Sequence, residues 1–179
     1  MSKADTGKAG RKAGKRRYLP ALLALGGNLG DRQANIVAAV EAIDATKGIH
    51  AKLLSPMVES FAVTQAGVDE SKPNYINAVL RIETRLKPKK LLRELRRIES
   101  ELGRIRVERW GSRTIDIDII TYADRVIAKK KLEVPHPRAF GRAFVMVPWA
   151  MIEPDAVLPG HGRVATLAEP MINDVWVVK

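Results

Sequence analysis

The sequence predicts an α+β fold with a ferredoxin-like βαββαβ core, a mainly antiparallel sheet flanked by helices. Segments with strand-like alternation and segments with helical apolar spacing follow one another in the order strand, helix, strand, strand, helix, strand. This is the order of the split βαβ unit. Strands joined by short turns pair antiparallel, and we expect both helices on one face of the sheet.

A glycine-rich turn separates the first strand from the first helix. Apolar residues fill 18–25, and Gly26-Gly-Asn-Leu-Gly30 ends the strand. The turn lacks the Lys-Ser/Thr of a Walker A loop and the spacing of a dinucleotide fingerprint, so we interpret it as a strand-to-helix turn. Asp31 can cap the following helix, which we expect to end at Gly48. The apolar stripe of that helix is Ile36, Val40 and Ile43.

The middle of the chain predicts two further strands. Residues 49–63 are extended but interrupted by Ser55-Pro56, which is typical of an edge or bulged strand. A polar loop over 65–74 precedes a clear alternation over 75–86. The predicted inner face carries Ile76, Ala78, Leu80 and Ile82, and the other face Tyr75, Asn77, Val79 and Arg81.

The second helix and the last core strand follow. Pro88 suits a first helical turn, and Gly103 a C-terminal stop. The apolar stripe is Leu91, Leu95, Ile98 and Leu102. After the strand around 115–120 we expect a hairpin through Leu132 and Val134, a helical stretch over 139–152 and a weak strand over 175–178.

Composition predicts one domain behind a basic tail. The chain of 179 residues suffices for one core, and its 46% hydrophobic content excludes general disorder. Residues 1–17 hold seven Lys or Arg residues against Asp5 alone, more than half of the net charge of +11. We expect 1–17 to be disordered and 18–179 to form the single domain. The tail fits a solubilising extension, a contact with a phosphate-rich surface such as RNA, or organellar targeting.

The absence of cysteine excludes disulfides and thiolate metal sites and fits a cytoplasmic location. No run of about 18 apolar residues exists that could span a membrane.

Asp116 and Asp118 are the strongest chemical signal. Strand side chains alternate, so both carboxylates share one face while the neighbouring isoleucines (Ile115, Ile117, Ile119 and Ile120) point into a core. Hard oxygen ligands beside guanidiniums suit Mg²⁺ and a polyphosphate. Asp-x-Asp pairs facing water are the alternative, but Asp has poor strand propensity. The pair supports a phosphoryl-transfer hypothesis in which two Mg²⁺ ions are bridged.

Four arginines lie within ten residues, between the second helix and this strand. They are Arg104, Arg106, Arg109 and Arg113. Such a run is usually a solvated face, but the arginine fork also holds phosphate oxygens bidentately. We favour a phosphate role, above all for Arg104 and Arg113.

Several other residues carry two interpretations. Glu99 lies at the margin of its helix's apolar stripe, either exposed or facing the aspartate strand. His136, between two prolines, is either structural or a nucleotide contact. Tyr75 and Asn77 either pack in the core or stack a flat heterocycle and read its edge.

These segments, in this order, resemble the 6-hydroxymethyl-7,8-dihydropterin pyrophosphokinase family of folate biosynthesis, over about 18–170. The resemblance rests on Gly26-Gly-Asn-Leu-Gly-Asp31, Asn74-Tyr-Ile-Asn-Ala78, Ile98-Glu99 with Gly103-Arg-Ile-Arg106, Arg109-Trp-Gly-Ser-Arg-Thr-Ile-Asp-Ile-Asp118, and Pro135-His-Pro-Arg138 with Arg142 and Phe144. It implies transfer of pyrophosphate from the co-substrate ATP, as MgATP, to the pterin hydroxymethyl group, with release of AMP.

The resemblance also implies site residues and partners. Catalytic roles fall on Arg104, Arg113, Asp116 and Asp118, with both aspartates as ligands of two Mg²⁺ ions. ATP-binding positions are Leu92, Glu99, Arg104, Arg106, Trp110, Arg113, Ile119, His136 and Arg142. Pterin-binding positions are Val63, Thr64, Ala66, Tyr75, Asn77, Trp110 and Phe144. Trp110 would lie on a loop that closes over both substrates. The expected partners are these two small molecules, without a membrane, and the expected state is a monomer.

Departures from the family pattern leave alternatives open. Phe61-Ala-Val-Thr-Gln-Ala-Gly67 stands where many members have Thr-Pro, Ser112 replaces a more usual Pro, and Lys131 stands near a frequent Arg. A paralogue that accepts another small alcohol is therefore one alternative. A ferredoxin-like RNA-binding module is another, but only 5% of residues are aromatic and no RNP-type motif is present.

Overall fold

The computed structural model describes residues 16–64, 67–69, 73–103 and 113–179, so the predicted tail over 1–15 lies outside it. The strands are β1 (Leu19–Gly27), β2 (Ile49–Leu54), β3 (Val58–Ser60), β4 (Ala62–Thr64), β5 (Gly67–Asp69), β6 (Tyr75–Thr84), β7 (Asp116–Tyr122), β8 (Ile127–Lys129), β9 (Leu132–Val134), β10 (Val157–Leu158), β11 (Gly162–Arg163) and β12 (Trp176–Val177). The α-helices are α1 (Arg32–Asp44), α2 (Pro88–Glu101), α3 (Ala143–Ile152) and α4 (Val164–Ala168), and 3₁₀ helices span Ala139–Gly141 and Glu169–Asp174.

The main sheet has the order β12-β3-β6-β1-β7, and β2 pairs with the other end of β6 beside β3. All of these neighbours are antiparallel. The predicted α+β fold with a mainly antiparallel sheet is confirmed. β1 is central because both of its faces are apolar, and β7 lies at an edge of the sheet.

The two helices of the predicted βαββαβ core, α1 and α2, lie on one face of this sheet as predicted, and α3 and α4 cover the opposite face. Leu23 and Leu25 of β1 pack in a core with α1 and α2. Leu22 points the other way and packs with Val145 of α3 and Val164 of α4 in a second core. A strand that is apolar on both faces is typical of a sheet covered on both sides, and α3 supplies an almost wholly apolar partner.

The isoleucines around Asp116 divide between these two cores, which also corrects the sequence analysis. Ile115, Ile117 and Ile119 pack against α1 and α2. Ile120 packs in the α3 core, on the same face as the two aspartates. A register shift between β1 and β7 at Leu22/Leu23 leaves Ile120 as an extra, bulged residue.

Local signals set most element boundaries. The Asp31 side chain caps α1 by accepting a hydrogen bond from the Ala34 N–H at 3.0 Å. α1 ends at Asp44, four residues before the predicted stop at Gly48. Pro88 does open α2, and Gly103 follows it with φ +80°. β4 and β5 pair antiparallel, so the predicted 65–74 loop contains a short strand, Gly67–Asp69.

Within the described residues, no helix combines the length and the apolar composition that crossing a bilayer requires.

The core prediction concerns Leu95, which is fully buried between α2 and the sheet. Leu95→Ala should lower the free energy of unfolding by about 2–5 kcal/mol, because it removes buried methyl groups and leaves a cavity. Leu53→Ala is the matched control, since Leu53 is 44% exposed. Urea denaturation measures both, and equal losses would contradict this packing.

Candidate active site

Asp116 and Asp118 share one face at the start of β7. In the sheet, Gly26 of β1 pairs with Asp116 on one side and with Asn77 of β6 on the other. A Cβ atom at Gly26 would lie 2.2 Å from Asn77 Oδ1. The glycine therefore lets the Asn77 amide lie over β1, on the face that carries the Asp116 carboxylate.

Arg113 enters the site directly before β7. Its guanidinium forms a short ion pair with the Asp116 carboxylate. Its backbone N–H donates to Asn28 Oδ1 at 3.0 Å, and its carbonyl accepts from the Asn28 N–H at 3.0 Å. A Cβ at Gly27 would lie 2.2 Å from the Thr114 carbonyl oxygen, so this turn can approach β7 only without a side chain there.

Asp118 faces an imidazole and a guanidinium. Its Oδ2 lies 3.7 Å from His136 Nε2 and 3.6 Å from the Arg142 guanidinium. His136 is held in place because its backbone N–H donates to the Ile120 carbonyl at 2.9 Å, and Arg142 is the N-cap residue of α3. These separations are ion-pair distances and exceed those of good hydrogen bonds.

The ring of His136 is neutral at pH 7. Burial lowers its pKa below the ordinary value of 6.5, and Arg142 and Arg138 act in the same direction, while Asp118 opposes them. Nδ1 accepts from the Arg138 N–H at 3.2 Å, so the hydrogen-bond network assigns the proton to Nε2, which faces Asp118. Burial also lowers the pKa of Arg142 below its ordinary value, but a guanidinium stays charged at neutral pH.

Glu99 is buried rather than exposed on the surface. Only 3% of the residue is accessible, and Oε1 accepts from the Ile117 N–H at 2.7 Å. Because β7 is an edge strand, this N–H points away from β1 and needs a partner outside the sheet. Glu99 therefore faces the aspartate strand, as one of the two interpretations predicted; that it helps to order the site stays a prediction.

Comparison with known proteins identifies the family. The family model described as 7,8-dihydro-6-hydroxymethylpterin-pyrophosphokinase (HPPK) matches residues 22–154. A 2-amino-4-hydroxy-6-hydroxymethyldihydropteridine pyrophosphokinase of Haemophilus influenzae is 40% identical over 151 residues, which cover 84% of this chain and 92% of that protein. One of Synechocystis is 38% identical over 160 residues, covering 88% and 80%. The chain belongs to the HPPK family.

A solved structure agrees in fold. The crystal structure of Plasmodium falciparum HPPK-DHPS wild type with pteroate matches with a TM-score of 0.69 at 12% identity, over 88% of this chain. The match covers 45% of that chain, so this chain spans less than half of its length.

Of the positions predicted for the pterin, Asn77, Tyr75 and Phe144 are described with their side chains. Asn77 is 6% exposed and its Nδ2 donates to Ser60 Oγ at 3.3 Å. Tyr75 is half-buried two residues before it. Phe144, in the first turn of α3, is half-buried, and the Arg142 guanidinium lies 5.4 Å from the centre of its ring.

Of the predicted nucleotide positions on the core side, Leu92 is half-buried in α2. Ile119 is 3% exposed in the α1/α2 core, with its side chain on the face opposite Asp118. A contact between Ile119 and a nucleotide would therefore involve its backbone.

Several predicted residues lie outside the described residues or only partly within them. Ala66, Arg104, Arg106, Arg109 and Trp110 are not described. The backbone of Val63 and Thr64 is part of β4, and their side chains are not described.

Two residues that sequence reasoning missed connect the site to the fold. Asn28 holds the Arg113 backbone, as described above. Arg32 of α1 donates to Glu59 Oε1 and to the Asn74 carbonyl, both at 2.8 Å. The available signal was a polar residue inside the Gly26–Gly30 turn, but its partner is 85 residues away.

The donor set fits Mg²⁺. Among the described residues, no group of three or more His, Cys, Asp or Glu side chains is placed to hold a metal. Asp116 and Asp118 nevertheless present hard carboxylate oxygens side by side, with exposed fractions of 25% and 40%. Mg²⁺ commonly binds through one or two carboxylates and takes its other oxygens from water and substrate phosphates.

We predict that Glu99→Ala lowers the free energy of unfolding by about 1–3 kcal/mol, because the buried Ile117 N–H loses its acceptor. Glu99→Gln should cost much less, since the amide oxygen can still accept. Urea denaturation of the two variants measures the difference. Equal losses would show that this hydrogen bond is unimportant for stability.

The buried His136 predicts a pH dependence. The unfolded imidazole titrates near 6.5 and the folded one lower, so acidification through this window favours the unfolded chain, which binds more protons. Stability from this group is complete above the unfolded pKa and is lost as the pH falls towards the folded pKa. Denaturation from pH 8 to 5 should show wild type losing stability relative to His136→Gln. His161→Gln, at an exposed position, is the control, and parallel curves for wild type and His136→Gln would contradict the prediction.

Proposed function

We infer that this protein transfers the pyrophosphoryl group of MgATP to the hydroxymethyl oxygen of 6-hydroxymethyl-7,8-dihydropterin, releasing AMP, in folate biosynthesis. Family membership supports this reaction, as do the relatives of the same name. One structural observation carries the proposal: two carboxylates on one strand face, with Arg113 at Asp116 and with His136 and Arg142 at Asp118.

The nucleotide side of the proposal centres on these aspartates. Asp116 and Asp118 would hold two Mg²⁺ ions, which when bound neutralise phosphate charge and align the attacking and leaving oxygens. Arg113 and Arg142 present guanidiniums to the same face, where they can stabilise charge on phosphate oxygens during transfer. Neutral His136 can donate its Nε2–H to a phosphate oxygen without adding charge.

We propose that the nucleotide base lies at the outer edge of β7. Ile117 and Ile119 are two residues apart on this strand, so their backbone N–H groups point to the same side. The Ile117 N–H donates to Glu99. We propose that the backbone of Ile119 contacts the nucleotide base. Leu92, Glu99, Arg104, Arg106 and Trp110 complete the proposed ATP site.

The pterin side follows from the row that runs from Asn77 across Gly26 to Asp116. In this row the Asn77 amide, which can hydrogen-bond the edge of a heterocycle, lies across Gly26 from Asp116, a proposed metal ligand. Tyr75 and Phe144 would stack the ring. The acceptor hydroxyl would then lie next to the phosphates, which is the proximity that transfer requires. Val63, Thr64, Ala66 and Trp110 are the further proposed pterin contacts.

The setting we propose is a cytoplasmic monomer that acts on these two small molecules, without a nucleic-acid partner. The absence of cysteine is compatible with a reducing compartment. Size-exclusion chromatography with light scattering tests the monomer, and an RNA-binding assay of the full chain beside a variant lacking residues 1–17 tests the tail.

The reaction is tested by its products. Wild type with MgATP and the dihydropterin should release AMP and form the pterin diphosphate, with the β- and γ-phosphates moving together. Release of ADP, or turnover with a different small alcohol in preference to the pterin, would refute the assignment. Titration of Mn²⁺ into the complex with a non-hydrolysable ATP analogue tests the proposed count of two metal ions.

Asp118→Asn should remove metal-dependent turnover while the fold stays cooperative, because the variant loses one carboxylate ligand. Asp155→Asn, at an exposed ion pair with Arg163, should leave turnover unchanged. Steady-state kinetics and urea denaturation measure both properties. Full activity of Asp118→Asn would exclude the metal role.

Arg113→Ala should lower kcat by roughly 10²–10³-fold, equivalent to about 2.7–4 kcal/mol, by analogy with removing one preorganised donor to developing charge. Arg163→Ala provides the exposed-arginine control. A normal kcat for Arg113→Ala would contradict its catalytic role.

A further inference from the structure

We propose that Asn28 is a positioning residue that couples the ATP-side strand to the pterin-side strand of the site. The inference concerns a residue outside the predicted substrate contacts, and it rests on the proposed function. The Asn28 side chain holds the residues that precede β7 and the residues that precede β6 at the same time.

The Asn28 amide uses both of its ends. Asn28 is 4% exposed. Its Oδ1 accepts from the Arg113 N–H at 3.0 Å, and its Nδ2 donates to the Pro73 carbonyl at 3.4 Å. Its own backbone N–H donates to the Arg113 carbonyl at 3.0 Å. These three bonds go to backbone atoms, so they fix where the two segments run.

The topology explains why such a link is needed. β6 and β7 are not neighbours, because β1 lies between them. Both strands run antiparallel to β1, so the first residues of β6 and of β7 lie beside the last residues of β1. Asn28 is the first residue after β1 and therefore lies between the two starting points, one of which carries Arg113 and Asp116 and the other Tyr75 and Asn77.

The first turn of α1 reinforces the same junction. The Arg32 guanidinium donates to the Asn74 carbonyl at 2.8 Å. Asn35 Nδ2 donates to the Leu29 carbonyl at 3.1 Å and lies 3.4 Å from the Thr114 carbonyl. The turn that carries Asn28 is therefore itself held by α1, so it can act as a fixed point for both segments.

Positioning of this kind acts on the transfer step more than on the binding of either substrate. Arg113 and Asp116 are placed by β7 and its preceding residues, and Tyr75 and Asn77 by β6, so each half-site can keep its own contacts when the link is weakened. The distance between the attacking oxygen and the phosphorus, however, depends on both. A misplacement of about 1 Å can cost on the order of 100-fold in rate.

Asn28→Asp is the decisive variant. Aspartate keeps an acceptor for the Arg113 N–H but cannot donate to the Pro73 carbonyl, so it breaks only the pterin-side link. We expect kcat to fall roughly 10- to 100-fold. Affinity for a non-hydrolysable ATP analogue alone should stay within about threefold of wild type on the same argument, and pterin affinity in its presence should fall. Asn28→Ala should lower kcat further.

Ser55→Ala is the matched control. Ser55 is also 4% exposed and its hydroxyl also serves a backbone N–H, that of Val79 at 3.0 Å, which lies two residues after Asn77 in β6 and is not part of the Asn28 junction. It should lower stability in urea denaturation without changing kcat. Isothermal titration calorimetry gives the affinities, and Asn28→Asp is compared with Ser55→Ala at similar loss of stability.

The outcomes separate two failures. If wild type turns over and Asn28→Asp has a wild-type kcat and pterin affinity, or loses kcat only in proportion to stability as Ser55→Ala does, the positioning role is overturned. If wild type itself releases no AMP, the proposed function fails instead. If Asn28→Ala does not fold, the Asn28→Asp kinetics decide the proposal.

Discussion

The whole site depends on the absence of side chains at Gly26 and Gly27, the last two residues of β1. A Cβ at either position would lie 2.2 Å from a neighbouring atom, from Asn77 Oδ1 in the first case and from the Thr114 carbonyl oxygen in the second. Contacts that short would displace the Asn77 side chain in the first case and the backbone before β7 in the second. β1, which lies between β6 and β7, can therefore hold the amide of β6 on one side and the residues before β7 on the other only because it ends in two glycines. Fold and site share this constraint.

The charges at this junction explain why metal ions belong to the proposed reaction. Arg113 pairs with Asp116 and Arg142 lies beside Asp118, while burial keeps His136 neutral. The described side chains thus nearly balance one another, and a triphosphate would meet little net positive charge from them alone. In the proposed reaction, Mg²⁺ on the two carboxylates would reverse this balance. The arginines would then act on charge that develops during transfer rather than on simple attraction of the nucleotide.

Sequence reasoning succeeded where the signal is local. Alternation correctly placed the faces of β6, and single residues such as Asp31 and Pro88 marked helix starts, because each acts on backbone groups within one turn. It failed where the partner is remote in sequence. β1 is apolar on both faces because α3, far along the chain, packs on its second face. The Asn28–Arg113 contact spans 85 residues. Glu99 stayed ambiguous because helical spacing gives direction only within its own helix.

The strand that carries the two aspartates is separate from the segment that departs from the family pattern. β7 is fixed at its start by Asn28, at its outer edge by Glu99 and towards its end by the His136 N–H on Ile120. Three anchors from three parts of the chain leave the carboxylates little freedom, which an edge strand otherwise has. The segment that departs from the family pattern overlaps β4 and β5, which pair with each other outside the main sheet. In the proposed reaction, substitutions in this segment would alter which acceptor alcohol fits without moving β7, so catalysis and acceptor choice would change independently.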